Sequence, residues 1–194
     1  VAILGPILGA MADFNGTKKR FLTFFVILGA IATTLLFFGG KGDWMLASTL
    51  YVFASFGFSG SIVFYDSLLP HVARPDEIDQ VSSRGYAMGY LGGGLLLAIN
   101  LAMIMIPKDD ATSLLMTRLT FITVAIWWIV VTIPLWRHVP EPPRRQSKHE
   151  AGLSPIKASF LRLAATFKKI KQYNQLLKFI LAFWLYNNGI GTII

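Results

Sequence analysis

Four stretches, residues 21–40, 44–65, 85–107 and 119–136, contain no charged side chain, and they leave this chain few ways to fold. A bilayer-crossing helix needs about 20 apolar residues. Lipid offers no partner to an open backbone, so each stretch is expected to form one membrane-spanning helix. Two more uncharged runs, 1–12 and 179–194, reach the chain ends. They read as the tail of one span and the start of another, in a chain expected to be a fragment of a longer protein. Only 14% of the residues are charged, against about 25% in soluble domains, which sets a soluble fold aside.

The net charge of +8 would suit a nucleic-acid binder if the charges formed a patch. They do not. Fourteen Lys and Arg lie in 13–20, 68–84 and 137–174, whereas the alternate loops 41–43 and 107–113 hold only Lys41 and Lys108. Cytoplasmic loops of membrane proteins carry this excess. The first set is therefore expected in the cytoplasm, the lipid bilayer is the expected partner, and no nucleic acid is implied. The chain has no cysteine, which excludes disulfides, thiolate metal sites and a cysteine nucleophile within it. His71, His138 and His149 are scattered over the basic loops and form no metal spacing. No phosphate-binding G-x-x-x-x-G-K-(S/T) occurs, so no cofactor or enzyme chemistry is indicated.

The expected helices cover 21–39, 45–67, 85–106 and 115–136. Gly39–Trp44 (GGKGDW) and Pro107–Asp110 (PKDD) supply the reversals. Pro70 is expected to close the second span, and 68–84 to form a polar loop. Composition breaks at 137–174. Val139–Arg145 is Pro-rich and extended, and Ser154-Pro155 has the chemistry of a helix start, with Ser as the cap. Ile156, Phe160, Leu163, Phe167 and Ile170 then recur at helical spacing among Lys157, Arg162, Lys168, Lys169 and Lys171. This is an amphipathic helix. Two placements stay open: on the inner membrane face, or packed on the body of the protein.

The turn Gly9–Arg20 (GAMADFNGTKKR) resembles the loop signature of the major facilitator superfamily, G-x-x-x-D-(R/K)-x-G-x-(R/K)-(R/K). Gly9, Asp13, Gly16, Lys18 and Lys19 fall on the pattern, and Phe14 stands where a basic residue is usual. The resemblance implies an all-α membrane protein with the major facilitator fold, running from the end of span two to the start of span seven of about twelve. Residues 1–136 would be an incomplete N-terminal six-helix bundle, 137–174 the cytoplasmic linker, and 175–194 the start of the C-terminal bundle. It also implies that Asp13 caps or pairs with a neighbouring helix and stabilises one transport state, with Lys18, Lys19 and Arg20 assisting.

Other polar groups in the spans are candidates for substrate or coupling-ion contact. Asp66, in FYDSLLP, is an intramembrane carboxylate, costly to bury and a functional candidate by default. It would carry a coupling proton, meet Arg74 or Arg84 in a gate, or reach headgroup water. Asn100, Asn187 and Asn188 could bond a polar substrate or simply a neighbouring helix. Tyr90 is a further candidate, with Tyr65, Tyr86 and Tyr186 behind it. Arg118 reads as a snorkelling residue. Gly85, Gly89, Gly93 and Gly94 form a smooth stripe suited to close helix packing. The stripe partly resembles the span-five signature of facilitator antiporters, with Tyr90 replacing its proline.

Together GPILGAMADFNGTKKR, FYDSLLPHVA and SSRGYAMGYLGGG resemble the facilitator branch of the autophagy vacuole effluxers and their bacterial relatives. The resemblance implies secondary transport of a small-molecule substrate by alternating access. Amino-acid efflux is what it implies for the fungal members, and proton coupling is the expected drive. A lipid or lysolipid flippase of the same fold, and a non-transporting membrane scaffold or receptor, remain the alternatives.

Overall fold

The computed structural model describes residues 4–143, 155–170 and 172–193. They form helices α1 (Leu4–Asn15), α2 (Lys18–Leu35), α3 (Trp44–Val72), α4 (Ile78–Met105), α5 (Asp110–His138), α6 (Pro155–Ile170) and α7 (Asn174–Ile193). A 3-10 turn, Leu36–Phe38, extends α2. Among the described residues there is no strand. Four helices are long and apolar enough to cross a membrane: α2 with its 3-10 turn, α3, α4 and α5. The apolar helix pattern and the all-α class agree with the expectation from sequence.

The boundaries differ from that expectation, and the cause is physical. Hydropathy marks where lipid ends, whereas a helix continues into water as long as its backbone bonds are satisfied. Pro70 does not close α3. It lies inside the helix, which runs on to Val72 and ends when the Ala73 N–H bonds the Leu69 carbonyl. The polar segment 68–84 is therefore mostly helical, with only 73–77 outside α3 and α4. The 13–20 turn shrinks to Gly16 and Thr17. Gly16 has φ of 63°, and the Thr17 N–H reaches back 2.9 Å to the Ala12 carbonyl. This is a Schellman ending, in which the left-handed residue is glycine because a β-carbon is penalised there. At the opposite end, Asp109 caps α5 by accepting the Thr112 N–H at 2.7 Å. α6 begins at Pro155, as its sequence suggests. The proposed Ser154 cap lies outside the described residues.

α2 sits at the centre, packed along α3 and, less extensively, α5. α4 leans on α5 and barely touches α3. The core clusters near the basic end: Ala12, Leu22, Phe25, Val26, Phe64 and Leu68 are buried together. Phe64 stacks on Phe21 and Phe25, with ring centroids 5.2 and 5.7 Å apart. Between apolar helices in lipid there is little hydrophobic drive, so association relies on close packing. That closeness comes from glycine. A β-carbon on Gly57 would stand 2.6 Å from the Gly29 backbone, and one on Gly60 would strike the Phe25 ring. The stripe expected to pack helices behaves differently. At Gly89, Gly93 and Gly94 an added carbon meets nothing within 4 Å, and at Gly85 it meets the Tyr65 hydroxyl at 3.3 Å. Within this chain the tight packing lies on α2 and α3. α6 lies against α1, leaving Lys157, Phe160, Leu161, Lys168 and Lys169 exposed.

Candidate functional site

The first turn of α2 reads Lys18, Lys19, Arg20 and carries no acid. The positive end of a helix dipole disfavours cations there, so local preference does not explain this sequence. Tertiary contacts do. The α1–α2 turn meets the C-terminal ends of α3 and α5, whose carbonyls carry the opposite partial charge.

Lys18 is buried, and a buried ammonium must be paired. Its Nζ lies 2.8 Å from Asp13 Oδ1 of α1, donates to the Ser67 carbonyl of α3 at 3.2 Å, and stands 3.4 Å from His71 Nε2. Lys19 serves the other side. Its Nζ donates to the carbonyls of Trp136 and Val139, each at 2.7 Å, at the end of α5. Its backbone N–H donates to Glu141 Oε1 at 2.8 Å. Thr17, the residue preceding α2, makes no side-chain cap bond, and Glu141 from across the bundle takes that role. One turn of chain thus ties α1, α2, α3 and the segment after α5 into a clasp. Gly16 sets the reversal. Phe14 is buried where the resembled pattern has a cation.

Three participants escaped the sequence reading: His71, Ser67 and Glu141. From sequence alone His71 reads as a loop histidine, because Pro70 is expected to end the helix before it. Glu141 sat in a Pro-rich run with no visible partner. The opposing signal was the run of cations opening a helix, which demanded acceptors from elsewhere.

The candidates for substrate or coupling-ion contact are not gathered at one point. Asp66 is exposed on α3, and among the described residues no ion pair joins it to Arg74 or Arg84. Asn100 is buried and accepts the Thr123 hydroxyl of α5 at 2.8 Å. Tyr90 is 80% exposed. The side chains of Asn187 and Asn188 lie outside the described residues. Gly9 is half-buried on α1, with room for a β-carbon. The separation of α3 and α4 opens a cleft of about 710 Å³. Tyr65, Trp127 and Trp128 line it with the glycines 89, 92 and 93, and Ser61 and Thr132 add hydroxyls. Gly89 and Gly93 thus face open space rather than a packed helix.

Comparison with known proteins places this geometry in context. The family model described as "Vacuole effluxer Atg22 like" matches residues 1–194. The chain is 38% identical to the uncharacterized MFS-type transporter YxiO of Bacillus subtilis, over 100% of this chain and 45% of that protein. It is 25% identical to autophagy-related protein 22 of Coccidioides immitis, over 96% of this chain and 40% of that protein. The similarity to autophagy-related protein 22-1 of Penicillium rubens is 23%, over 99% and 44%. The chain therefore spans less than half the length of these relatives. No solved structure matches it.

Proposed function

The chain belongs to the vacuole effluxer Atg22-like family of multi-pass membrane proteins, and from that premise we propose that the whole protein is a secondary transporter moving a small solute by alternating access. The observation that carries this reading is the clasp. Hydrogen bonds from Lys18 and Lys19 to the ends of α3 and α5 hold the helices at one end of the bundle in a fixed relation. Contacts of this kind hold one bundle together as a rigid body, which is what rocking of one bundle against another requires.

The basic end faces the cytoplasm in this proposal, following the distribution of Lys and Arg. Residues 1–136 belong to one bundle, 137–174 link it to a second, and 175–194 begin that second bundle. Amino acids leaving a compartment are the proposed cargo, by analogy with the fungal relatives, and a proton gradient is the proposed drive. Asp66 is the candidate proton carrier, an exposed carboxylate on a membrane-crossing helix whose natural partner would come from spans beyond this chain.

The test is flux of a labelled amino-acid mixture through the full-length protein in liposomes, with and without an imposed proton gradient. Gradient-dependent uptake is expected, and D66N should depress it more than it depresses exchange. Absence of flux from folded protein in both conditions overturns the amino-acid reading. Equal loss of both modes in D66N removes Asp66 from coupling.

A further inference from the structure

A lysine ammonium has three N–H donors and no acceptor. Around Lys18 the fold supplies three acceptors, Asp13 Oδ1 at 2.8 Å, the Ser67 carbonyl at 3.2 Å and His71 Nε2 at 3.4 Å. Every donor of this buried cation thereby has a destination. The third acceptor exists only while His71 Nε2 carries no proton, with the ring hydrogen on Nδ1. A proton added to that lone pair turns the acceptor into a donor and sets two cations 3.4 Å apart.

We propose that His71 is a proton-binding site that governs the clasp. Neutral His71 completes the coordination of Lys18. Protonated His71 repels it, and the α1–α2 turn is released from the end of α3. The proposal rests on the clasp reading above and adds its regulation. Histidine is suited to this role because its unperturbed charge change falls between about pH 5 and 8.

The elements around the site carry charges of both signs. From α1, Asp13 faces the same ammonium and favours keeping Lys18 in place. From α2, the neighbouring Lys19 is committed to the carbonyls of Trp136 and Val139. The end of α5 carries Arg137 and His138, and beyond it Glu141 is held by the Lys19 N–H. The turn after α3 carries Arg74, Asp76 and Glu77, and Asp79 lies in the first turn of α4. The C-terminal dipole of α3 favours one cation at this end. Lys18 already supplies it at the Ser67 carbonyl, so a second cation on His71 meets an occupied site.

The test is amide hydrogen exchange of residues 13–20 in the full-length protein in lipid nanodiscs, corrected for the intrinsic pH dependence of exchange. Wild-type protection is expected to fall roughly tenfold or more between about pH 8 and pH 5. H71Q should stay protected throughout, and H71R should be unprotected throughout. Wild-type pH dependence persisting in H71Q overturns the proposal, as does a pH-independent wild type. K18M separates the two layers of inference. Wild-type protection in K18M sinks the clasp itself. Loss of protection in K18M beside an H71Q that still responds to pH sinks only the role of His71. A second readout avoids the risk that H71R fails to fold. The carbon-13 resonance of the His71 ring, assigned by its loss in H71Q, must titrate no higher than the pH at which protection begins to fall. A ring that titrates above that pH overturns the proposal.

Discussion

Gly29 of α2 and Gly57 of α3 meet backbone to backbone, so that a β-carbon on Gly57 would stand 2.6 Å from both Cα and N of Gly29. No side chain can yield there, because the obstructing atoms are main chain. Gly57→Ala must push α2 and α3 apart, and the buried Phe25–Phe64 stack lies in that same interface. The expected cost is about 1–3 kcal/mol, the usual range for overpacking. Thermal unfolding of the full-length protein in detergent would measure it. A Gly57→Ala protein as stable as wild type would mean that the two helices do not approach this closely.

Lys19 gives a second prediction, separable from charge alone. Its Nζ satisfies two carbonyls at the end of α5. Lys19→Met keeps the aliphatic stem and deletes the donors, leaving those carbonyls to find other partners. Hydrogen bonds from charged groups contribute about 1.5–3 kcal/mol, and a loss of that order is expected in the same unfolding measurement. Lys19→Arg retains charge and donors and should recover at least half of it. Equal loss in both variants would show that the site reads ammonium geometry. No loss in either would make Lys19 only a determinant of orientation.

The spans were legible in the sequence because lipid imposes a crude and strict rule, and charge-free runs satisfy it in few ways. Helix ends were not, because continuation into water depends on individual backbone bonds. Pro70 illustrates this, lying inside a helix it was expected to end. The loop pattern located Asp13, Gly16, Lys18 and Lys19, including the Asp13–Lys18 pair, but not the partners Ser67, His71 and Glu141, which are distant in sequence and specified only by packing. Glycine spacing marks small surfaces without naming what meets them: within this chain Gly57 of α3 meets Gly29 of α2, whereas Gly89 and Gly93 of α4 face a cleft.

The cap at the start of α5 should respond to acid. The hydroxyl and backbone N–H of Thr112 hold the exposed Asp109 carboxyl below its ordinary value near 3.8. A carboxyl whose folded-state value is depressed stabilises the fold above its unfolded value, and that contribution is lost as pH falls toward the folded value. Protection of the Thr112 amide should therefore be constant near neutrality and decline as pH drops below about 4. Asp109→Asn retains a capping oxygen and should remove the pH dependence. Its persistence in that variant would assign the acid response to another group.

Asn100 permits the sharpest division between structure and function. Its Oδ1 lies 2.8 Å from the Thr123 hydroxyl, whose single hydrogen is shared with the Thr120 carbonyl at 2.8 Å, joining α4 to α5. Hydrogen bonds between membrane helices average about 0.6 kcal/mol and reach about 1.7, so Asn100→Ala should lower stability by an amount in that range. Thr123→Val should cost the same, and the double variant should cost little more than either single one, because the pair shares a single bond. If this bond is the whole role of Asn100, both single variants will transport alike, with flux reduced no more than stability requires. A large loss of flux in Asn100→Ala, with Thr123→Val near wild type, would instead place the amide on the substrate. The comparison needs stability and flux from the same two variants.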